Sequence, residues 1–324
     1  MPDTYFDRIY NPSLKPATCH KSAGGPGGIE LRRHQEARES IVNADELLAT
    51  TGHRQVDEIV ASIVTAYEAT LPNQALGYYL GGSWADGTAI DLSDIDRCIL
   101  YETKPDDEEE RQRAIDVWSS LSSPIHLDVI MRAIDLLPVR PIEIVSLKMA
   151  SCLMYGRDVR DRLLWPSVDS YRSDATGRAY DFIGRVQRRA VAVPLPLAYP
   201  APEEEFYGYD RKRVPWYPAG IERGLKELVT AVAHIATAIL VIRTGRFVGS
   251  KAESVRVYRD GIGDEWTDYL DVLYQKGKHA WGYQVPVDAA DRHLLRDLCQ
   301  RTLGFEHYSL ALYQSEIFSQ SGSS

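Results

Sequence analysis

The sequence is poor in cysteine. Only four of its 324 residues are cysteines, at positions 19, 98, 152 and 299, and no two of them form a CxxC pair. This spacing argues against a disulfide framework and against a zinc knuckle, and it favours free thiols in a reducing compartment. No basic segment followed by an apolar stretch opens the chain, as a secretory signal would require. We therefore expect a cytoplasmic protein.

The chain also lacks an excess of positive charge and a long apolar run. Its 37 Lys and Arg against 46 Asp and Glu give a net charge of −9, which argues against general nucleic-acid binding and suits a cationic small molecule. The most apolar run, residues 229–242, includes His234 and is shorter than the ~20 apolar residues of a membrane helix. We interpret it as a buried helix, and we expect no membrane partner.

The hydrophobic periodicity divides the chain into a mixed half and a helical half. We expect a flexible lead-in over 1–28, an α/β domain over 29–165, a connecting segment over 166–218 that is dense in Pro and Tyr from 193 onward, and an all-helical domain over 219–324. The first half predicts strands over 75–80, 95–101 and 125–131, and helices over 29–48, 55–71, 106–121 and 141–154. The second half predicts helices over 222–242, 251–259, 265–275, 289–303 and 306–318. The fold class is thus α/β (α+β), with a mixed sheet and a helical C-terminal domain.

Three aspartates supply the most informative pattern. Asp94 and Asp96 stand two positions apart at the start of a predicted strand, so both face the same side, roughly 7 Å apart. Asp128 is an isolated acid inside the next predicted strand, where burial without a partner would be costly. Carboxylates on one face are the ligands that Mg²⁺ prefers, with phosphate oxygens completing its shell. The pattern therefore predicts a magnesium site.

Gly82-Ser83 follows the strand that precedes these aspartates. Glycine lets a phosphate approach the backbone, and the serine hydroxyl with helical N–H groups can donate to phosphate oxygens. A phosphate cradle beside carboxylates that bind Mg²⁺ predicts nucleotidyl transfer.

Gly82-Ser83, Asp94-Ile95-Asp96 and a lone Asp128 on a later strand resemble the DNA polymerase β nucleotidyltransferase superfamily over roughly residues 55–165. The segment from Val241 to Glu253 is similar to the helical domain of aminoglycoside O-adenylyltransferases of the streptomycin/spectinomycin type. That resemblance implies ATP as co-substrate, Mg²⁺ on the aspartates, and nucleotide contacts from Gly82, Ser83, Arg246 and Lys251. Arg246 stands where lysine is usual after Thr-Gly.

In that family the acid at this position looks like the catalytic base, and glutamate is commoner there. Asp128 has a shorter side chain, so catalytic base and metal ligand both stay open as its role. The acceptor is expected to be a hydroxyl of a small, cationic molecule, either an aminoglycoside-like antibiotic or a related metabolite. The alternative is a regulatory, antitoxin-like protein of the same fold that binds or adenylylates a protein partner. Polynucleotide end-addition is disfavoured because the chain is acidic and its basic residues are scattered.

Overall fold

The computed structural model describes residues 20–21, 41–103, 109, 112–113, 116–117, 121, 123–211 and 223–321. Within these ranges the chain forms two compact units that divide between Trp165 and Pro166, except that Ile90–Leu92 group with the second unit. The glycine-rich stretch at 24–28, Cys19, and most of the helix predicted over 106–121 lie outside the described residues.

A four-stranded mixed sheet forms the centre of the first unit. Its strands are β3 (Ala75–Leu80), β4 (Ile95–Tyr101), β5 (Leu127–Ala133) and β6 (Cys152–Gly156), in the order β5-β4-β3-β6. β4 and β5 are parallel, whereas β3 pairs antiparallel with both β4 and β6. A separate two-stranded ladder joins β1 (His20–Lys21) to β2 (Ala49–Thr50).

Helices pack against this sheet through apolar residues that recur at helical spacing. Helix α1 (Arg54–Thr70) buries Val56, Val60 and Val64 in a core that also contains Ile95 and Ile99. The short helix α2 (Gly82–Asp86) follows β3 directly, and α3 (Pro141–Ala150) starts with proline in its first turn. A second, smaller core joins Leu100 of β4 to residues of α3 and of the 3₁₀ segment Ile134–Val139.

The second unit is built from helices. They are α4 (Val168–Asp181), α5 (Lys226–Thr244), α6 (Lys251–Gly261), α7 (Thr267–Tyr274) and α8 (Ala289–Ser321), with π-helical turns at Phe182–Val186 and Gln275–Ala280. Among the described helices, α5 alone is long and apolar enough to cross a membrane, and most of it is buried inside its own unit. This burial matches the core helix that the sequence predicts.

The fold class is confirmed: a mixed sheet with helices is followed by a helical region. Several element predictions were wrong in detail. Residues 41–48 hold only a 3₁₀ turn at Ala44–Glu46, residues 152–156 are a strand rather than the end of a helix, and the break expected near 304 is absent from α8. Within the predicted connecting segment the structure places the whole of α4. Cys98, Cys152 and Cys299 are free thiols.

Candidate active site

Asp96 and Asp128 lie side by side on the sheet. In the parallel ladder of β4 and β5 they are register partners, so their side chains leave the same face of strands about 4.8 Å apart. The backbone N–H of Ile95 donates to His126 O at 2.9 Å and fixes the start of this ladder. Asp96 is half-buried and Asp128 is exposed. The pair therefore presents two adjacent carboxylates at an accessible end of the strands.

The alternation along β4 decides which face carries the acids. Ile95 and Ile99 enter the core shared with α1, whereas Cys98 and Leu100 contact the smaller core beside α3. Asp96 shares the parity of Cys98 and Leu100, so it lies on the α3 side. Burial raises the pKa of the Cys98 thiol to about 12, so this cysteine stays protonated at neutral pH and is no competing nucleophile.

Gly82 is pressed against Asp96. A Cβ atom at position 82 would lie 2.9 Å from Asp96 Cγ and would overlap its carboxylate oxygen. Gly82 also has φ +60°, a conformation that side-chain-bearing residues rarely adopt. The N–H of Gly81 donates to Asp96 O at 2.9 Å, which ties the end of β3 to β4. Both the contact and the backbone conformation require glycine here.

Ser83 lies in the first turn of α2, beside Gly82. Its carbonyl oxygen accepts a hydrogen bond from Thr88 N at 3.0 Å, and Asp86 Oδ1 accepts from both the N–H and the hydroxyl of Thr88. These bonds close the turn that follows α2. The structure thus holds the Gly82-Ser83 segment, predicted as a phosphate cradle, directly against Asp96.

Asp94 precedes β4 by one residue and is half-buried. Among the described residues, no group of three or more His, Cys, Asp or Glu side chains is close enough to hold a metal ion. Asp94, Asp96 and Asp128 therefore do not form a ready-made three-carboxylate cage. The donor set still fits Mg²⁺, because this ion is usually held by one or two carboxylates while waters and substrate phosphates complete its octahedron.

A positive charge lies further along β5, on the same side as Asp128. Arg132 donates from Nε to Glu143 Oε2 at 2.7 Å and from Nη2 to Glu143 Oε1 at 3.0 Å. The hydrogen bond that Arg132 donates to Glu143 is the main cause that raises the pKa of Arg132, and Asp128 contributes a smaller attraction. Arg132 is thus a fixed cation whose carboxylate partner comes from α3.

The two basic residues expected at the nucleotide are separated by the structure. Lys251 opens α6, which Ser250 caps by accepting a hydrogen bond from Glu253 N at 3.2 Å. The guanidinium of Arg246 instead lies at the other end of this helix, where a Cβ at Gly261 would be 3.2 Å from Arg246 Nη1. Eleven residues of α-helix span about 16 Å. Lys251 and Arg246 are therefore not neighbours.

Lys251 lies instead near two residues that the sequence did not single out as a site. Its Nζ is 3.4 Å from Thr230 Oγ1, and both Lys251 and Arg178 act on the ring of His234. Burial, followed by these two cations, lowers the pKa of His234 to about 3. The only sequence signal for this contact is the spacing of Thr230 and His234, which lie one turn apart on α5 and so share a helix face.

Residues 71–149 match the family model of the nucleotidyltransferase domain. This segment contains Gly82, Ser83, Asp94, Asp96 and Asp128. No curated protein sequence matches the chain. Among solved structures, the chain is similar to the spectinomycin adenyltransferase AAD(9) from Enterococcus faecialis, crystallised with ATP and spectinomycin. That likeness has 10% sequence identity and a TM-score of 0.46, and covers 76% of this chain and 98% of the other. A likeness of this size identifies no substrate.

Proposed function

From the premise that residues 71–149 form a nucleotidyltransferase domain, we propose that this enzyme is an Mg²⁺-dependent adenylyltransferase. It transfers AMP from ATP to a hydroxyl of a small molecule and releases pyrophosphate. The observation that carries the proposal is the pairing of Asp96 with Asp128 across β4 and β5, with Gly82-Ser83 held against Asp96. Phosphate-binding backbone and metal-binding carboxylates are the two parts that this reaction needs in one place.

The site residues divide between phosphate binding and metal binding in this proposal. Gly82 and Ser83 bind phosphate oxygens through the backbone and the hydroxyl, and Asp94, Asp96 and Asp128 are the carboxylates that would hold Mg²⁺. The bound ion would neutralise charge on the phosphates during transfer. The nucleotide contact of Lys251 is supported by the resemblance of the segment Val241–Glu253 to that family. The nucleotide contact of Arg246 stays a prediction, and Arg246 would have to make it at a place apart from Lys251.

Asp128 has two possible tasks, and its exposure makes both accessible. As a base it would accept the proton of the acceptor hydroxyl, and as a ligand it would share the ion with Asp96. The variants Asp128→Asn and Asp128→Glu separate these tasks. Loss of kcat with unchanged Mn²⁺ affinity in Asp128→Asn indicates a base, whereas parallel loss of both indicates a ligand. A base also shifts the acidic limb of the kcat/KM profile in Asp128→Glu.

The acceptor class rests on the C-terminal resemblance and on the acidic charge of the chain. An aminoglycoside-like molecule carries ammonium groups that a protein of net charge −9 attracts. A related hydroxylated metabolite would satisfy the same chemistry. Adenylylation of such an acceptor would block a hydroxyl group on it.

Pyrophosphate release tests the proposal directly. The wild-type chain is incubated with Mg²⁺, each of four nucleoside triphosphates, and a panel of aminoglycosides and hydroxylated metabolites. We expect release with ATP that depends on one acceptor class and that is lost in Asp96→Asn. Asp91→Asn is the matched control, because Asp91 is an exposed acid in the turn before β4.

Turnover that persists in Asp96→Asn would contradict the proposal. Binding of Mg·ATP without turnover of any small acceptor would move the acceptor to a macromolecule, and a co-purifying protein modified by AMP would support the antitoxin-like alternative. Circular dichroism of each variant shows whether the fold has been kept.

A further inference from the structure

One histidine continues the strand that carries Asp128. His126 directly precedes β5, and its carbonyl oxygen accepts a hydrogen bond from Ile95 N at 2.9 Å. Ile95 and Leu127 are register partners, so this is the regular bond of a parallel ladder, made to the residue before the partner. The ladder therefore extends back by one row, in which His126 lies opposite Asp94.

The alternation of side chains puts this row on the face of the candidate active site. His126 shares the parity of Asp128, and Asp94 shares that of Asp96. Two steps along a strand cover about 7 Å, and neighbouring strands are about 4.8 Å apart. His126 is exposed. Two rows, Asp96–Asp128 and Asp94–His126, thus occupy one accessible face at the start of β4 and β5.

His126 and the Gly82-Ser83 segment lie on opposite sides of β4. The end of β3 meets β4 at the row of Asp96, where Gly81 N donates to Asp96 O at 2.9 Å and Gly82 contacts the Asp96 carboxylate. In the sheet order β5-β4-β3-β6, strand β4 separates β3 from β5. Two strand spacings amount to about 10 Å. The aspartates of β4 therefore lie between the predicted phosphate cradle and the histidine.

The stereochemistry of nucleotidyl transfer gives this order a meaning. The acceptor oxygen forms a bond to the α-phosphorus, while the bond from that phosphorus to the oxygen bridging to the β-phosphorus breaks. Pyrophosphate leaves with the electron pair, and the hydroxyl proton passes to a base. The attacking and leaving oxygens lie roughly in line. With the leaving phosphates bound at Gly82-Ser83, the acceptor approaches from the opposite side, which is the side of β5.

Metal binding explains His126 less well than a contact to the acceptor does. Mg²⁺ prefers oxygen ligands, and within the described ranges no three His, Cys, Asp or Glu side chains are close enough to share an ion. A neutral imidazole has one donor and one acceptor nitrogen. That pair complements a hydroxyl or an amine, which can each donate a hydrogen bond.

We infer that His126 is an acceptor-binding residue. Its imidazole forms a hydrogen bond with a second hydroxyl or amine of the acceptor, while the reacting hydroxyl lies nearer Asp128. This inference rests on the proposed function and deepens it in two ways. The acceptor enters at β5, the outer strand of the described sheet, and it carries at least two polar groups.

Steady-state kinetics of the full chain, followed by pyrophosphate release, tests this inference with spectinomycin and streptomycin as probes. His126→Ala removes the imidazole but keeps the backbone oxygen that accepts from Ile95. His126→Asn keeps a donor and an acceptor on a shorter side chain. His293→Ala, at an exposed position of α8, is the matched control.

We expect His126→Ala to raise the KM of the acceptor about 3- to 10-fold, the usual loss for one hydrogen bond. The KM of ATP and the calorimetric affinity for Mg·ATP should keep their wild-type values. His126→Asn should recover part of the acceptor KM, and His293→Ala should keep all of it. A probe analogue that lacks the contacted hydroxyl or amine should show no further loss in His126→Ala.

A wild-type acceptor KM in His126→Ala would overturn the inference, and it would leave the proposed function standing if Asp96→Asn abolishes turnover. A rise in the KM of ATP in place of the acceptor KM would also overturn it, because the contact would be to the nucleotide. A raised acceptor KM in His126→Ala, together with turnover that persists in Asp96→Asn, would support the contact and count against the proposed function alone. A wild-type chain that modifies neither probe would overturn the inference, and loss of Mg·ATP binding as well would overturn the proposed function.

Discussion

Acid should destabilise this protein through His234. The pKa of His234 is lowered from 6.5 to about 3 in the folded chain, mainly because the ring is buried between α4 and α5. The unfolded chain therefore binds a proton between pH 6.5 and pH 3 that the folded chain does not bind. By linkage, the free energy of unfolding falls as pH falls through this window, and His234 adds no pH dependence above it.

The magnitude follows from the same values. Each pH unit below 6.5 lowers the free energy of unfolding by up to about 1.36 kcal/mol. At pH 5.0 the titration of His234 should therefore lower it by about 2 kcal/mol. His234→Gln removes the titrating group and keeps a polar side chain. Its free energy of unfolding relative to wild type should therefore rise by about 2 kcal/mol between pH 7.5 and pH 5.0.

Urea unfolding followed by far-ultraviolet circular dichroism measures both proteins at the two pH values. His293→Gln, at an exposed position on α8, controls for the introduction of glutamine. If the free energies of unfolding of His234→Gln and wild type differ by the same amount at both pH values, the reasoning is refuted. It would mean that the ring gains its proton as readily in the folded chain as in the unfolded one.

Three further substitutions test the packing. Arg97→Met should raise the free energy of unfolding by about 1–4 kcal/mol in urea, because Arg97 is 3% exposed and its three side-chain nitrogens have no hydrogen-bond partner. Arg188→Met should lower the free energy of unfolding by about 3–5 kcal/mol, because the substitution leaves the buried carboxylate of Glu306 unpaired. A change in the free energy of unfolding of the same sign in both arginine variants would contradict this account. Gly82→Ala should abolish nucleotidyl transfer, while Gly81→Ala, whose Cβ would meet only ordinary contacts, should keep most of the activity in the pyrophosphate assay.

Local patterns predicted the elements whose periodicity is strong. The apolar spacing after Gln55 and the β-rich runs at 75–80 and 95–101 correspond to α1, β3 and β4. These elements follow the sequence closely because their own side chains decide which face is buried.

The failures have tertiary causes. Residues 152–156 form a strand because β3 offers them a ladder, in which Tyr155 pairs with Tyr78. Helix α8 continues through Gly304 because the missing side chain makes room for Trp266, whose ring would lie 3.0 Å from a Cβ there. A glycine that reads as a helix end is thus a packing contact. Neither the pairing with β3 nor the contact with Trp266 can be predicted from residues that are adjacent in the sequence.

The sequence by itself determined the chemical groups of the candidate site: the aspartates at 94, 96 and 128, and the glycine and serine before them. Their types and spacing suffice because they act within single strands and turns. Only the tertiary structure decided that Asp96 lies beside Asp128, that Gly82 clears space for a carboxylate, and that Lys251 lies with His234 rather than with Arg246. Strand register and helix packing set those distances, because they bring together residues far apart along the chain.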